Sequence, residues 1–166
     1  RLWSRDLAGG SLLDLGIYPL TLVDLVFGGP PDLVSAIAEL SPEAVDAHVA
    51  MVLAYPGGGL ARLGSAINTR MSAEARIVGE SGTITIPAFW SAERAFLESL
   101  SDSEEVHRPH RVNGFEYQIL EAARCLRAGL TESPVVGWAW SLRMAGLMDA
   151  IRAQIGVHYP ADAEVN

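Results

Sequence analysis

Hydrophobic positions recur every three or four residues in three segments of the chain. The first covers residues 11–27 and stops at the Gly-Gly-Pro-Pro run 28–31. The second and third cover residues 115–129 and 140–156, and each ends at a glycine. This spacing puts apolar side chains on one face of a helix, and glycine commonly follows the last helical turn. The pattern therefore predicts three helices.

The first helix contains a proline at position 19. Pro19 has no N–H group to donate to the carbonyl of Leu15, so a regular helix cannot run through it undisturbed. We expect a short turn first and the main helix from about Tyr18 onward. The irregular backbone then lies beside Asp14 and Tyr18.

Between residues 33 and 110 the pattern changes to short runs of Val, Ile, Ala and Leu separated by Gly and Pro. Apolar and polar positions partly alternate in 33–40 and 45–55, which is typical of strands. The turns at 56–59 and 79–82 are short enough to join antiparallel neighbours. Further strands are predicted at 60–67, 75–78, 83–86, 95–100 and 106–110. We expect one meandering sheet.

The order helix, strands, helix, helix indicates the fold class. It differs from the regular alternation of a doubly wound parallel fold and favours an α+β layer. We predict a mainly antiparallel open sheet with helices on one face, which leaves the other face uncovered. Residues 1–160 are expected to form one domain, followed by a polar tail at 161–166.

Charge and composition narrow the classes of partner. The formal net charge is -8, which disfavours nucleic acid because phosphate-binding surfaces are basic. All twelve basic residues are arginines, so no lysine is available for a Schiff base or a P-loop. Charged residues recur along the chain, and no apolar run approaches the roughly 20 residues of a membrane helix. We expect neither a nucleic acid nor a membrane partner.

The single cysteine bears on the cellular compartment. Cys125 cannot form a disulfide within the chain, and the first ten residues lack the apolar core of a signal peptide. A reducing, cytoplasmic location is therefore expected. Because the chain does not start with Met, we also expect it to be part of a longer protein.

The segment 9–18, with the sequence Gly-Gly-Ser-Leu-Leu-Asp-Leu-Gly-Ile-Tyr, offers the most chemistry. In one interpretation Ser11 and Asp14 form a capping box at the helix start, which explains Asp14 without any catalytic role. That interpretation leaves Gly16 and Tyr18 unexplained. In the other, the Asp14 carboxylate and the Tyr18 phenol, four residues apart around a glycine, grip a hydroxylated substrate. Spacing alone leaves both open.

Other candidate sites are weaker. The best match to a dinucleotide-binding Gly-x-Gly-x-x-Gly loop, at residues 57–62, lacks its last glycine and lies in a predicted hairpin. We therefore assign no cofactor-binding residue. His107 and His110 lack a third ligand at a suitable spacing, so we expect no metal site. Cys125 lies among apolar helix positions and is interpreted as a core residue.

Several separated motifs carry a family resemblance. Segment 9–18, the strand-turn-strand segment 75–87, and the helical segments 121–136, 141–143 and 148–156 follow one another in the expected order. Together they resemble the C-terminal domain of the glucose-fructose oxidoreductase and inositol dehydrogenase family, nearest the dimeric dihydrodiol dehydrogenase branch. The resemblance covers nearly the whole chain.

The resemblance implies a function. In that family a Rossmann domain, absent from this chain, binds NAD or NADP and supplies a catalytic lysine. Asp14 and Tyr18 match the family's catalytic or substrate-orienting acid and its His-or-Tyr partner. The chain is then the substrate-binding and catalytic C-terminal portion of an NAD(P)-dependent oxidoreductase acting on a sugar, polyol or diol hydroxyl. It should be inactive alone, and the open sheet face should form a homo-oligomer.

Two alternatives belong to other classes. The chain is a non-catalytic binding or dimerisation module with the same fold if no nucleotide-binding unit precedes it. A cofactor-free hydrolase ranks last, because the sequence contains no Gly-x-Ser-x-Gly motif.

Overall fold

A computed structural model describes residues 1–165 of the chain. The predicted polar tail ends in Asn166, which lies outside the described residues. The fold divides into two compact units, and each is described by itself. The first unit combines Arg1–Met71 with the chain from Trp138 onward, and the second is Ser72–Gly137. In chain order the helices and strands are α1 (Ile17–Phe27), β1 (Leu33–Leu40), β2 (Asp46–Ala54), β3 (Leu60–Ala66), β4 (Ala75–Gly79), β5 (Gly82–Ile86), β6 (Arg94–Ser99), β7 (Ser103–His107), α2 (Glu116–Arg127) and α3 (Trp138–Ile155).

Helix α1 begins irregularly, as its proline predicts. A five-residue π-helical turn, Leu12–Gly16, precedes it without a break in the helical backbone. Because Pro19 cannot donate to the carbonyl of Leu15, the chain widens just before the proline. The helix then continues to Phe27 and ends at Gly28, which has a φ of 75° and donates to the Asp24 carbonyl at 2.8 Å.

The first unit is built on an antiparallel sheet of three strands in the order β1-β2-β3. Strand β2 alternates between the two faces, so Val49, Met51 and Leu53 are fully or almost fully buried while the side chains between them are exposed. Helices α1 and α3 cover the buried face of this sheet, with Leu20 and Ile151 packed in the same core. In this unit the helices therefore lie on one face, as predicted.

The opposite face of this sheet exposes several large aliphatic side chains. Leu33, Ile37, Val52 and Leu60 are 56%, 74%, 45% and 72% exposed respectively. The strand register places Leu33 beside Ala54 and Leu60 on the neighbouring strands. Within this unit the uncovered face is thus rich in large aliphatic side chains.

The second unit contains a separate four-stranded antiparallel sheet in the order β4-β5-β6-β7, followed by α2. The predicted hairpins are present, but the prediction of one meandering sheet is wrong. Strand β3 makes its last ladder pair at Ala66, and β4 pairs only with β5. The polar segment between β3 and β4 contains no tight turn that would bring these two strands together, so each sheet closes on its own hairpins.

The long helices end at the predicted glycines. Gly129 and Gly156 have φ angles of 69° and 73°, a left-handed conformation that glycine adopts without a steric penalty. The end of β7 differs from the prediction, since the strand stops at His107 rather than at residue 110. Pro109 cannot donate to a strand ladder, which explains the earlier stop.

One apolar stretch is longer than the sequence analysis anticipated. The helical stretch Arg5–Phe27 contains an 18-residue window with a mean hydropathy of 1.5, and it is long and apolar enough to cross a membrane by length and composition alone. The expectation that no such run exists is therefore wrong for this stretch. About a third of that window (33%) is buried within the protein, including Leu12 and Leu20. Core helices of soluble proteins and N-terminal signal sequences meet the same criterion, so the stretch is weak evidence for a membrane.

Candidate active site

The two predicted site residues lie on one continuous helical segment. Asp14 is the middle residue of the π-helical turn, and Tyr18 follows it in the first turn of α1. The side chain of Asp14 is 31% exposed, and Tyr18 is 46% exposed. Both polar groups are therefore accessible from solvent, and neither is sealed in the core.

Asp14 forms an ion pair with a residue that the sequence analysis did not consider. The Arg1 guanidinium donates to Asp14 Oδ1. Of the two interpretations of this segment, the capping box is wrong, because Ser11 makes no side-chain hydrogen bond to the backbone of its own helix and Asp14 turns toward Arg1 instead. The Asp14 carboxylate thus has a cationic partner within its own chain.

The start of the helical segment is capped by Asp46, the first residue of β2. Asp46 Oδ2 accepts hydrogen bonds from the backbone N–H groups of Ser11 and Leu12 at 2.8 and 2.6 Å. It also accepts the Ser11 hydroxyl at 2.9 Å. The first N–H groups of a helix have no partner within it, and a carboxylate satisfies them while complementing the positive end of the helix dipole. A strand residue therefore performs the capping that the sequence analysis assigned to Ser11 and Asp14.

Ser65 on β3 completes this buried polar cluster. Its hydroxyl lies 3.0 Å from Ser11 Oγ. Because Ser11 directs its only proton to the Asp46 carboxylate, the stronger acceptor, the Ser65 hydroxyl donates to Ser11. Asp46 and Ser11 are 0% exposed and Ser65 is 4% exposed. Two strands of the sheet thus hold the first turn of the site segment.

Two glycines of the motif allow this close packing. Gly10 has a φ of 111°, and a Cβ atom there would lie 2.1 Å from Asp46 Oδ1. A Cβ at Gly16 would lie 3.0 Å from the Leu12 side chain and 3.2 Å from Ser65 Oγ. The close approach that Gly16 permits is therefore to the sheet.

Tyr159 anchors the first residue of the motif. Its hydroxyl donates a 2.6 Å hydrogen bond to the carbonyl of Gly9, and the Arg152 guanidinium lies 4.8 Å from its ring centroid. Burial, followed by the negative charge of Asp46, raises the pKa of Tyr159 to about 12. The phenol is therefore held neutral as a donor.

Sequence reasoning missed Arg1, Asp46 and Tyr159, which support the motif from distant positions. The only available signal was the aspartate itself, since Asp46 interrupts the apolar run Val45 to Leu53 at a position predicted to be a strand. An acid in an apolar strand is rarely left without a partner. That signal does not identify the partner, which lies 34 and 35 residues earlier in the chain.

The other candidate motifs have structural roles. Gly57 and Gly58 have φ angles of 82° and 92° in the turn between β2 and β3, where Tyr55 N–H donates to the Gly59 carbonyl. This glycine run is a hairpin turn and not a nucleotide loop. Cys125 is buried in its unit, as predicted.

The histidines do not form a metal centre in the part of the chain that the structure describes. His107 lies on β7, whereas His110 lies beyond it with its Nε2 3.4 Å from Ser91 Oγ. No group of three or more His, Cys, Asp or Glu side chains within residues 1–165 is placed to hold a metal ion.

Asp14 and Tyr18 lie on an open surface of the first unit. A cavity of about 250 Å³ in this unit is lined by residues that include Asp24, Tyr55 and Arg143, but neither Asp14 nor Tyr18 lines it. A carboxylate and a phenol of this kind can accept and donate hydrogen bonds to a bound hydroxyl group. Asp14 and Tyr18 alone do not enclose a substrate, because they lie on an open surface.

Comparison with known proteins assigns the family. The family model described as the GFO/IDH/MocA C-terminal domain matches residues 1–85, which is more than half of the chain. The chain belongs to this family. The match includes the whole segment with Asp14, Tyr18 and Asp46, and it confirms the predicted resemblance and the predicted α+β fold class.

Curated relatives of the family come from the expected branch. The chain is 33% identical over 172 residues to trans-1,2-dihydrobenzene-1,2-diol dehydrogenase of Danio rerio, covering 99% of this chain and 52% of the relative. It is 32% identical over 171 residues to the mouse (Mus musculus) enzyme of the same name, covering 96% and 50%. The chain therefore spans about half the length of the curated relatives it matches.

Solved structures of the family share the fold. An aldose-aldose oxidoreductase from Caulobacter crescentus, crystallised with glycerol, superposes with a TM-score of 0.79 at 25% identity, covering 92% of this chain and 48% of the other. A 3-ketoreductase from Actinomadura kijaniata, in complex with TDP-benzene and NADP, gives a TM-score of 0.76 at 24% identity, covering 89% and 48%. The second likeness is evidence for the fold alone.

Proposed function

We propose that this chain is the substrate-binding and catalytic C-terminal portion of an NAD(P)-dependent oxidoreductase acting on a sugar, polyol or diol hydroxyl. The observation that carries the proposal is a solvent-accessible carboxylate, Asp14, and phenol, Tyr18, held one turn apart on a segment that the sheet fixes from behind. Family membership and the names of the relatives point to hydroxyl oxidation or carbonyl reduction. Residues 1–160 form the substrate-binding and oligomerisation domain in this proposal.

The nicotinamide cofactor is assigned to a domain outside this chain. The glycine run in the described structure is a hairpin turn, so it does not form a cradle for a dinucleotide phosphate. When bound beside Asp14, the cofactor would supply the hydride chemistry. The residues of this chain would bind and orient the hydroxyl group that reacts.

Each site residue has a distinct role. The Asp14 carboxylate, which pairs with the Arg1 guanidinium, accepts a hydrogen bond from a substrate hydroxyl and orients it. Tyr18 is the group that exchanges a proton with the reacting oxygen, for which a phenol needs a nearby cation near neutral pH. The family resemblance assigns that cation to a lysine outside this chain.

Site variants of the full-length protein test this function. Cofactor reduction would be measured with a panel of sugars, polyols and cyclic diols. Asp14→Asn and Tyr18→Phe should each lower kcat/KM by about 10²- to 10⁴-fold, the usual contribution of a positioned acid or base. Matched controls are Asp149→Asn, which removes another arginine-paired carboxylate, and Tyr117→Phe, a phenol of nearly equal exposure (45%). Unchanged turnover in both site variants would rule out the assignment.

A homo-oligomer through the exposed sheet face is part of the same proposal. Leu33, Ile37 and Leu60 form an apolar surface on the exposed face of the three-stranded sheet, which suits face-to-face packing with a second copy. Ile37→Asp should convert the oligomer to a monomer in light scattering. Leu25→Asp, which charges an equally exposed position (80%) on α1, should not. A monomeric wild-type protein at high concentration would contradict this proposal.

The same surface favours the second candidate function, a non-catalytic binding or dimerisation module. The two candidates differ in the upstream reading frame, because the module needs no nucleotide-binding unit there. If that frame lacks a Gly-x-Gly-x-x-Gly strand-helix unit while the chain still self-associates, the module is the better assignment. A cytoplasmic location is proposed for either, since the buried Cys125 is a free thiol.

A further inference from the structure

We propose that Asp46 is a positioning residue for Asp14, acting through the backbone of the π-helical turn. The inference rests on the proposed function, because it concerns how the carboxylate of that site is aimed. Asp46 touches no reacting group in this proposal. Its carboxylate fixes the turn that carries Asp14.

The first step is the direction of the hydrogen bonds. A helix start is usually capped by a Ser, Thr, Asp or Asn side chain at the first position, which ties the helix only to itself. Ser11 occupies that position but bonds to Asp46 and Ser65 instead. The cap of the segment is therefore a strand side chain, and the orientation of the segment follows the position of β2.

The second step is that both ends of the turn are fixed. Leu12, its first residue, donates to Asp46 Oδ2 at 2.6 Å. Gly16, its last residue, packs so closely on the sheet that an added Cβ would lie 3.2 Å from Ser65 Oγ. Asp14 is the central residue between them, so the two fixed ends determine the position of the backbone from which its carboxylate extends.

The third step concerns the second carboxylate oxygen. Asp46 is fully buried, yet its Oδ1 has no hydrogen-bond partner within the described residues. Burying a carboxylate is costly unless its oxygens are paired, and a local Ser11 cap would avoid that cost. Gly10 approaches this oxygen so closely that no side chain fits there. The arrangement sacrifices stability for a fixed distance between the strand and the site segment.

The test uses the full-length protein with Asp46→Asn, which keeps the shape of the side chain and removes its charge. Asp24→Asn is the matched control, since Asp24 is a similar well-bonded carboxylate (14% exposed) at the far end of α1. We expect Asp46→Asn to lower kcat by about ten- to a hundredfold, the range that a small misplacement of a reacting group produces. The KM for the nucleotide should stay unchanged, and Asp24→Asn should leave kcat within about twofold.

A double variant separates positioning from general destabilisation. If Asp46 acts through Asp14, then Asp14→Asn plus Asp46→Asn should be no slower than Asp14→Asn alone. Additive losses would overturn the inference, as would equal losses of kcat in Asp46→Asn and Asp24→Asn. If Asp14→Asn itself has no effect on kcat, the proposed function fails. The positioning role of Asp46 is then tested by a measurement other than kinetics.

Amide hydrogen exchange tests the positioning role of Asp46 independently of enzymatic activity. Asp46→Asn should accelerate exchange selectively in residues 12–16, whereas Asp24→Asn should not. Unchanged exchange there would overturn the positioning role even in an inactive protein. If Asp46→Asn does not fold, Ser11→Ala removes one of the three donors to the same oxygen, and its exchange and kcat should change in the same direction but less.

Discussion

The hydroxyl of Tyr159 donates a hydrogen bond to the carbonyl of Gly9, which lies 150 positions earlier in the chain. This bond is buried, and it fixes the backbone at the start of the site motif. Tyr159→Phe should destabilise the protein by about 1–2 kcal/mol, because the Gly9 carbonyl loses its donor in a buried position. Urea unfolding at neutral pH measures this. A change below about 0.3 kcal/mol would mean that water replaces the donor.

The same phenol should make stability sensitive to alkali. The folded-state pKa of Tyr159, about 12, is higher than the ordinary value of 10.0. The unfolded chain therefore loses the proton first as the pH rises, and the folded state loses stability between pH 10 and 12. Two pKa units correspond to about 2–3 kcal/mol. Urea unfolding across this range should show the loss in wild type, and Tyr159→Phe should lack that part of it.

Two glycine substitutions should change the free energy of unfolding in opposite directions. Gly10→Ala places a Cβ 2.1 Å from Asp46 Oδ1 at a backbone φ of 111°, so it should cost more than about 2 kcal/mol. Gly146→Ala lies inside α3 with open space around its Cβ position. It should stabilise the helix by about 0.5–1 kcal/mol. Thermal unfolding of both variants provides the comparison, and a tolerated Gly10→Ala would show that Asp46 can move.

Asp24 should be a stabilising contact between α1 and α3. Its carboxylate accepts hydrogen bonds from Trp140 Nε1 at 2.8 Å and from Arg143 Nη2 at 3.0 Å. Asp24→Ala leaves both donors without their acceptor, so we expect a loss of about 2 kcal/mol. Asp149→Ala removes a pair whose acid is 64% exposed, and it should cost less than about 0.5 kcal/mol. Equal losses in urea unfolding would contradict this difference.

The local elements were predictable because their signals are local. Pro19 has no N–H group, so the helix is irregular just before it. Gly28, Gly129 and Gly156 end helices by adopting left-handed backbone angles. The hairpin turn after Tyr55 follows from its glycines in the same way. Each feature depends on a few neighbouring residues, so its physics is visible in the sequence.

The features that failed depend on distant pairing. Nothing in the sequence shows that β3 and β4 do not pair with each other, because an edge is defined by the rest of the fold. Likewise, Ser11 and Asp14 have the spacing of a capping box, yet Asp46 offers a charged acceptor that outcompetes the local arrangement. Asp14 and Tyr18 themselves were found through the motif, and their roles stay a prediction until the variants are measured.

The residues that support the site segment lie both before and after the second unit in the sequence. Gly9 is bound by Tyr159, and Arg5 donates to the carbonyl of His158 at 2.7 Å. During synthesis on the ribosome, the stretch with Asp14 therefore emerges about 150 residues before the side chain that clamps it. Maturation of this surface has to wait for the late part of translation, and a nascent chain stalled before α3 would display the motif without its final geometry.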